Sequence, residues 1–230
     1  MSLELAVAAD AEAAAARAAA ELVAAARAAV ADRGTFALAL SGGRTPWLMC
    51  SLLAAEDVPW ERTEVFQVDE RIAPEGDGAR NLTHLREALP ERALVRLRAM
   101  PVEAADLDAA AAAYARALPA ALDLVHLGLG TDGHTASLVP GDPVLEVADR
   151  PVALTAGAYQ GHRRMTLTYP ALNGARRRLW LVTGAEKREA LERLLAGDPA
   201  IPAGRVARAA AIVIADEGAA PRPARPRASA

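Results

Sequence analysis

Four short apolar runs stop abruptly at glycine or charge, and helical stretches separate them. Phe36–Leu40 runs into Ser41-Gly42-Gly43-Arg44-Thr45-Pro46, Val65–Val68 into Asp69-Glu70-Arg71, Leu122–Leu127 into Gly128-Leu129-Gly130, and Leu179–Thr183 into Gly184. Short continuous apolar runs bounded by turn residues read as strands buried on both faces. Asp10 is placed to cap a long helix ending near Arg33, with Gly34 as its stop. Further helices are expected from about Leu82, over Asp106–Leu118, and from Gly184 to about Leu195. Leu3–Val7, Arg164–Thr168 and Ala211–Ile214 add strands. Strands alternating with helices predict an α/β fold, a mainly parallel sheet flanked by helices. One domain is expected over residues 1–218. The Pro/Arg-rich end, 219–230, has little to bury and is expected to be disordered.

Composition narrows the function classes. Of 230 residues, 53% are hydrophobic but only 3% aromatic, so the core is built from aliphatics and alanine. With 26 Lys+Arg against 29 Asp+Glu, no general affinity for nucleic acid or acidic membranes is expected. Cys50 is the lone cysteine, in an apolar helical stretch; it rules out an intrachain disulfide and reads as packing. Asp10, Glu12 and Arg17 interrupt any secretory signal, and Arg17, Glu21 and Arg27 argue against a membrane span in the Ala11–Ala31 stretch. The expectation is a cytoplasmic enzyme with no nucleic-acid or membrane partner.

A parallel, Rossmann-like sheet binds ligands beyond the carboxyl ends of its strands, where the polar motifs of this chain fall. In Ser41–Pro46, Gly42 and Gly43 let the backbone approach a ligand, Thr45 is placed as a helix cap, and Pro46 suits the first helical position. The free amides at that helix start favour an anion such as phosphate. In Gly128–Ser137, which is expected to lead into a short helix, His134 stands at a strand mouth. A neutral imidazole there can take a proton from water, and Asp132 is close enough in sequence to orient it. The plainer alternative is a histidine that packs locally. Strand alternation points Asp69 and Arg71 to one side and Glu70 to the other. Arg71 can hold a phosphate, or the three residues form a solvated turn. Lys187 lies in the first turn after Gly184, where a helix dipole disfavours a cation unless an anion sits nearby; Glu186 offers a simpler compensation. Arg164 opens a strand and adds positive charge. Arg163 and Arg176–Arg178 read as a solvated face, and His84, His126 and His162 as structural or surface residues. No His/carboxylate set has metal-ligand spacing, and there is no Gly-x-Ser-x-Gly elbow.

Four blocks in order, LSGGRTP, VDERIAP followed by RN, LGLGTDGHTASLVPG, and RMTLTYPALN followed by LVTGAEK, give the chain a resemblance to the 6-phosphogluconolactonase family from about Phe36 to Ile214. The resemblance implies a fold related to glucosamine-6-phosphate deaminase. It implies hydrolysis of 6-phosphoglucono-δ-lactone in the oxidative pentose phosphate pathway, with no cofactor and no required metal. It casts His134 as general base, Asp132 and Asp69 as acidic site residues, Arg71, Arg164 and Lys187 as cations for the phosphorylated substrate, and Gly42, Gly43, Arg44 and Thr45 as the binding turn. The expected partner is a small sugar-phosphate lactone, and the expected assembly a monomer or small homo-oligomer. Two residues depart from the family pattern: Arg44 where Ser is usual, and Val139 where Phe is usual. The related deaminases carry a Glu at the place of Val139, and valine transfers no protons. A sugar-phosphate-binding regulator is a second alternative, but no helix-turn-helix extension is present.

Overall fold

The computed structural model describes residues 3–222. In chain order the elements are β1 (Glu4–Ala8), α1 (Ala11–Arg33), β2 (Phe36–Leu40), α2 (Arg44–Leu52), β3 (Thr63–Gln67), β4 (Asp69–Arg71), α3 (Asn81–Ala88), α4 (Glu91–Leu94) and β5 (Leu97–Arg98). They continue with α5 (Leu107–Ala117), β6 (Leu124–Leu127), β7 (Val152–Leu154), β8 (Arg164–Leu167), α6 (Tyr169–Gly174), β9 (Arg177–Val182), α7 (Arg188–Ala196) and β10 (Ala211–Asp216).

The larger sheet has seven strands in the order β1-β10-β9-β6-β2-β3-β5, and its pairings are parallel. Without β1, the chain order across it reads 3-2-1-4-5-6, the doubly wound arrangement, with its topological switch between β2 and β6. Pleating sends alternate residues to opposite layers. Leu38 and Leu40 face one core and Ala39 the other; Leu179 and Leu181 face one, Trp180 and Val182 the other. The first layer is covered by α1, α2 and α3, the second by α5, α6 and α7.

Helix α1 shows why the alanine content matters. Alanine costs least in a helix, and its short side chain lets the helix lie close to the sheet. Ala14, Ala18, Leu22, Ala25 and Ala29 follow helical spacing on its buried face. Asp10 caps it by accepting from the Ala13 amide at 2.8 Å, and Gly34, at φ 79°, ends it. Among the described residues, no helix is long and apolar enough to cross a membrane.

A smaller antiparallel sheet, β4-β8-β7, hangs beside the carboxyl end of β3. Val68 alone separates β3 from β4. Its N–H donates to the Leu40 carbonyl and its carbonyl accepts from Leu167, so one residue serves both sheets.

Several local expectations are corrected. Asp69–Arg71 is not a turn at a strand end but a strand of this second sheet, paired with Arg164–Thr166. The Arg164 strand likewise belongs to the small sheet and not to the parallel one. Helix α2 starts at Arg44 with Gly43 at its cap, so Thr45 caps nothing and Pro46 is the third helical residue. No helix follows Gly130; a Thr135–Leu138 bridge closes a tight loop there because Gly133 (φ 81°) and Ala136 (φ 52°) turn the backbone the other way. The expected tail falls partly on 223–230, outside the described residues. At its start, Ala219 is buried, and Arg188 donates to the carbonyls of Gly218 and Ala220, so the boundary expected at 218 falls inside a tethered turn.

Candidate active site

In chain order, the segments that follow β2, β3, β6 and β9, four adjacent strands, open into one cavity of about 310 Å³. Its walls include Gly42, Gly43, Arg44 and Thr45 from the first loop, Asp69 and Arg71 from β4, Gly130 and His134 from the third, and Thr183 and Lys187 from the fourth. Eight of the ten residues singled out from sequence therefore meet at the switch point. The other two, Asp132 and Arg164, lie behind the wall and touch residues that form it.

The Asp132–His134 pair is the centre of the site. His134 Nδ1 lies 2.6 Å from Asp132 Oδ1, which also accepts the His134 amide at 3.1 Å. A carboxylate at that distance assigns the proton to Nδ1 and leaves Nε2 without a protein partner among the described residues. The hydrogen bond from His134 holds the Asp132 carboxyl well below the usual carboxylate range. Local folding makes the pair. A Cβ on Gly130 would lie 1.9 Å from His134 Nδ1, so only glycine leaves room for the imidazole.

The same cavity is lined by cations. Arg71 donates from Nη1 to Ala79 O at 2.6 Å and to Asn81 Oδ1 at 3.0 Å, while its Nε is buried without a protein partner among the described residues. Lys187 precedes α7 at the end of a 3-10 turn. Burial lowers its pKa, against the pull of Glu186 and Asp132. Gly184 N–H donates to both Asp216 carboxylate oxygens, at 3.1 and 3.0 Å, fixing the turn that presents Lys187. Thr45 Oγ1 meets Thr183 Oγ1 at 2.7 Å and ties the first loop to the fourth. Arg44 lies exposed at the mouth.

Asp69 is nearly buried. Ser137 Oγ donates to its Oδ2 at 2.6 Å, Asn81 Nδ2 approaches its Oδ1 at 3.3 Å, and Arg164 Nη1 stands 3.9 Å from Oδ2. These contacts make it an anchor between the two sheets. Arg164 itself is buried; burial lowers its pKa, and its Nη2 donates to the Tyr159 carbonyl at 3.0 Å. Glu70, on the opposite side, reaches the start of α3. Its Oε1 accepts from the Asn81 amide and its Oε2 from the Leu82 amide, both at 2.8 Å, with Arg80 Nε 3.2 Å away. It caps α3 from a distance and so places Asn81 in the cavity wall. In the basic neighbourhood, Arg178 is not solvated: it is buried and donates to the carbonyls of Leu172, Asn173, Ala175 and Ala209.

Three contributors did not stand out in the sequence. Asn81 closes a Cβ-less approach to Gly42, where a side chain would meet its Oδ1 at 2.0 Å. Ser137 holds Asp69, and Tyr159 touches both Asp132 and His134. The Arg-Asn pair after the VDERIAP block was the one available signal for Asn81; Tyr159 sits in a turn without any motif. No cluster of three or more His, Cys, Asp or Glu residues suited to a metal ion occurs among the described residues.

A doubly wound sheet with an acid-backed imidazole and cations in one switch-point cavity defines an α/β enzyme architecture for small anionic substrates. A family model described as glucosamine-6-phosphate isomerases/6-phosphogluconolactonase matches residues 9–214, and the chain belongs to that family. Among curated relatives it is 39% identical over 184 residues to a 6-phosphogluconolactonase of Synechocystis, covering 73% of this chain and 75% of the relative. It is 36% identical over 221 residues to the 6-phosphogluconolactonase of Mycobacterium tuberculosis, covering 86% and 90%. The solved 6-phosphogluconolactonase of Thermotoga maritima superimposes with a TM-score of 0.83 at 26% identity, over 93% of this chain and 99% of that one. A monomeric glucosamine-6-phosphate deaminase shares the fold, with a TM-score of 0.80 at 18% identity over 94% of this chain and 98% of that one. Within the family the chain groups with the 6-phosphogluconolactonases, and it is an enzyme of the hydrolase class.

Proposed function

We propose that this enzyme hydrolyses 6-phosphoglucono-δ-lactone to 6-phosphogluconate, as a cytoplasmic step of the oxidative pentose phosphate pathway, and that His134 activates the water. The observation that carries the reading is the 2.6 Å Asp132–His134 contact, which leaves Nε2 free on an imidazole that lines the same cavity as Arg71 and Lys187. Nε2 takes a proton from water as its oxygen attacks the lactone carbonyl carbon. The resulting oxyanion is stabilised by hydrogen-bond donors of the cavity wall. The bond from carbonyl carbon to ring oxygen then breaks, and the imidazolium returns its proton to that oxygen. General acid–base catalysis of this kind contributes about 10²–10⁴-fold. The phosphate, gripped by Arg71 and Lys187, fixes the ester carbon against the base. Arg71's unpartnered Nε and the anion-favouring start of α2 support a phosphate at that end. Val139, buried and apolar, provides no proton carrier for deamination.

The test is product formation from fresh lactone, measured above spontaneous hydrolysis. His134→Ala should keep the fold and lose about 10²–10⁴-fold in kcat. A folded variant with unchanged turnover would overturn the assignment.

A further inference from the structure

Tyr159 lies in the turn between β7 and β8, which is closed by a Tyr159–His162 bridge and by positive φ at Gln160 (51°) and Gly161 (85°). Its hydroxyl donates to Asp132 Oδ2 at 3.1 Å and stands 3.4 Å from His134 Nδ1. Its ring meets the imidazole edge-on at 5.1 Å between centroids. Arg164 holds the tyrosine from the other side: its guanidinium carbon is 5.4 Å from the ring centroid, and its Nη2 bonds the Tyr159 carbonyl. The far end of Arg164 faces Asp69 at 3.9 Å. These contacts form one unbroken line, Asp69–Arg164–Tyr159–Asp132–His134, running from the small sheet to the proposed base.

We propose that Tyr159 is a positioning residue for the lactonase reaction: its hydroxyl and ring hold the Asp132–His134 pair in the Nδ1–H tautomer, and Arg164 holds Tyr159.

The inference rests on the lactonase reading and extends it, because it gives a buried arginine outside the cavity wall a task. Asp132 has two carboxylate oxygens, and each is used differently. Oδ1 accepts from the imidazole and Oδ2 from the phenol, so the carboxylate cannot swing away without breaking both bonds. Burial and the Asp132 charge push the Tyr159 phenol up, so it stays a donor wherever the enzyme works. The charged groups facing the pair are Arg164 behind the ring and Lys187 across Asp132. A tyrosine that merely filled space would need no hydroxyl; this one spends its hydroxyl on the acid that orients the base.

The test compares Tyr159→Phe, Tyr159→Leu and Asp132→Asn, alone and combined, by steady-state kinetics and by ¹⁵N NMR of the His134 ring. Tyr159→Phe keeps the stack and should lower kcat about tenfold with KM within about twofold, as one charge-assisted hydrogen bond is lost. Tyr159→Leu loses the ring as well and should fall further. In an Asp132→Asn background the phenylalanine change should add little, since the acceptor has already changed. The NMR spectrum should show one Nδ1–H tautomer in the wild type and a mixture in Tyr159→Phe, independently of any turnover. The inference falls if Tyr159→Phe keeps both the wild-type kcat and the single tautomer, or if its effect adds in full to that of Asp132→Asn. Absence of lactone turnover in the wild type would overturn the functional reading instead, with the tautomer result still deciding whether Tyr159 positions the imidazole.

Discussion

His134 is held in place by what surrounds it within a few residues, and that is why its position was legible. The Gly-x-x-Gly-His spacing of Gly130-Thr131-Asp132-Gly133-His134 puts the acid, the base and the turn in one local string. The space for the ring is equally local. Gly130→Ala should leave folding intact but push a methyl into the imidazole; kcat should fall about a hundredfold with smaller change in KM, read from initial rates. Asn81, Ser137 and Tyr159 were hidden for the opposite reason. Ser137 meets Asp69 across 68 positions and Tyr159 meets Asp132 across 27, and no local pattern records such a meeting. Arg164 was read from sequence as a cation for substrate; its side chain lies outside the cavity wall, and Asp69, 3.9 Å away, offsets its charge.

Among the elements, the strands of the large sheet were readable as short apolar runs, and α1 as an alanine face between Asp10 and Gly34. Such signals lie within one element. The small sheet was readable only in part: Arg164–Thr168 read as a strand, but β4 finds it more than ninety residues later and three residues of mixed charge carry no signal of that pairing. The role of Glu70 was invisible for the same reason. It binds the first two amides of α3 and an amide of its own strand with one buried carboxylate. Glu70→Gln should set an amide donor against those N–H groups beside Arg80. A loss on the order of 3 kcal/mol is expected in urea unfolding, with a rise in KM as Asn81 loosens.

For the whole molecule, acid stability should turn on His126, buried in β6 beneath the glycine turn. Burial pushes its pKa down to about 4 from 6.5. Below pH 6.5 the unfolded chain takes up a proton that the folded one refuses until about pH 4. Stability is therefore full above that window and declines through it as pH falls, by about 1.4 kcal/mol per pH unit at its steepest. His126→Leu should flatten this part of the urea-midpoint profile against pH, whereas an unchanged slope would assign it to other groups. The same scale gives Val68 its importance. Because its amide belongs to one sheet and its carbonyl to the other, the chain has no slack at that joint. One extra residue between Gln67 and Asp69 would reverse the pleat and aim the Asp69 carboxylate away from Ser137. Surface loops of this enzyme are free to lengthen or shorten over time, but that single step is bound to a fixed length.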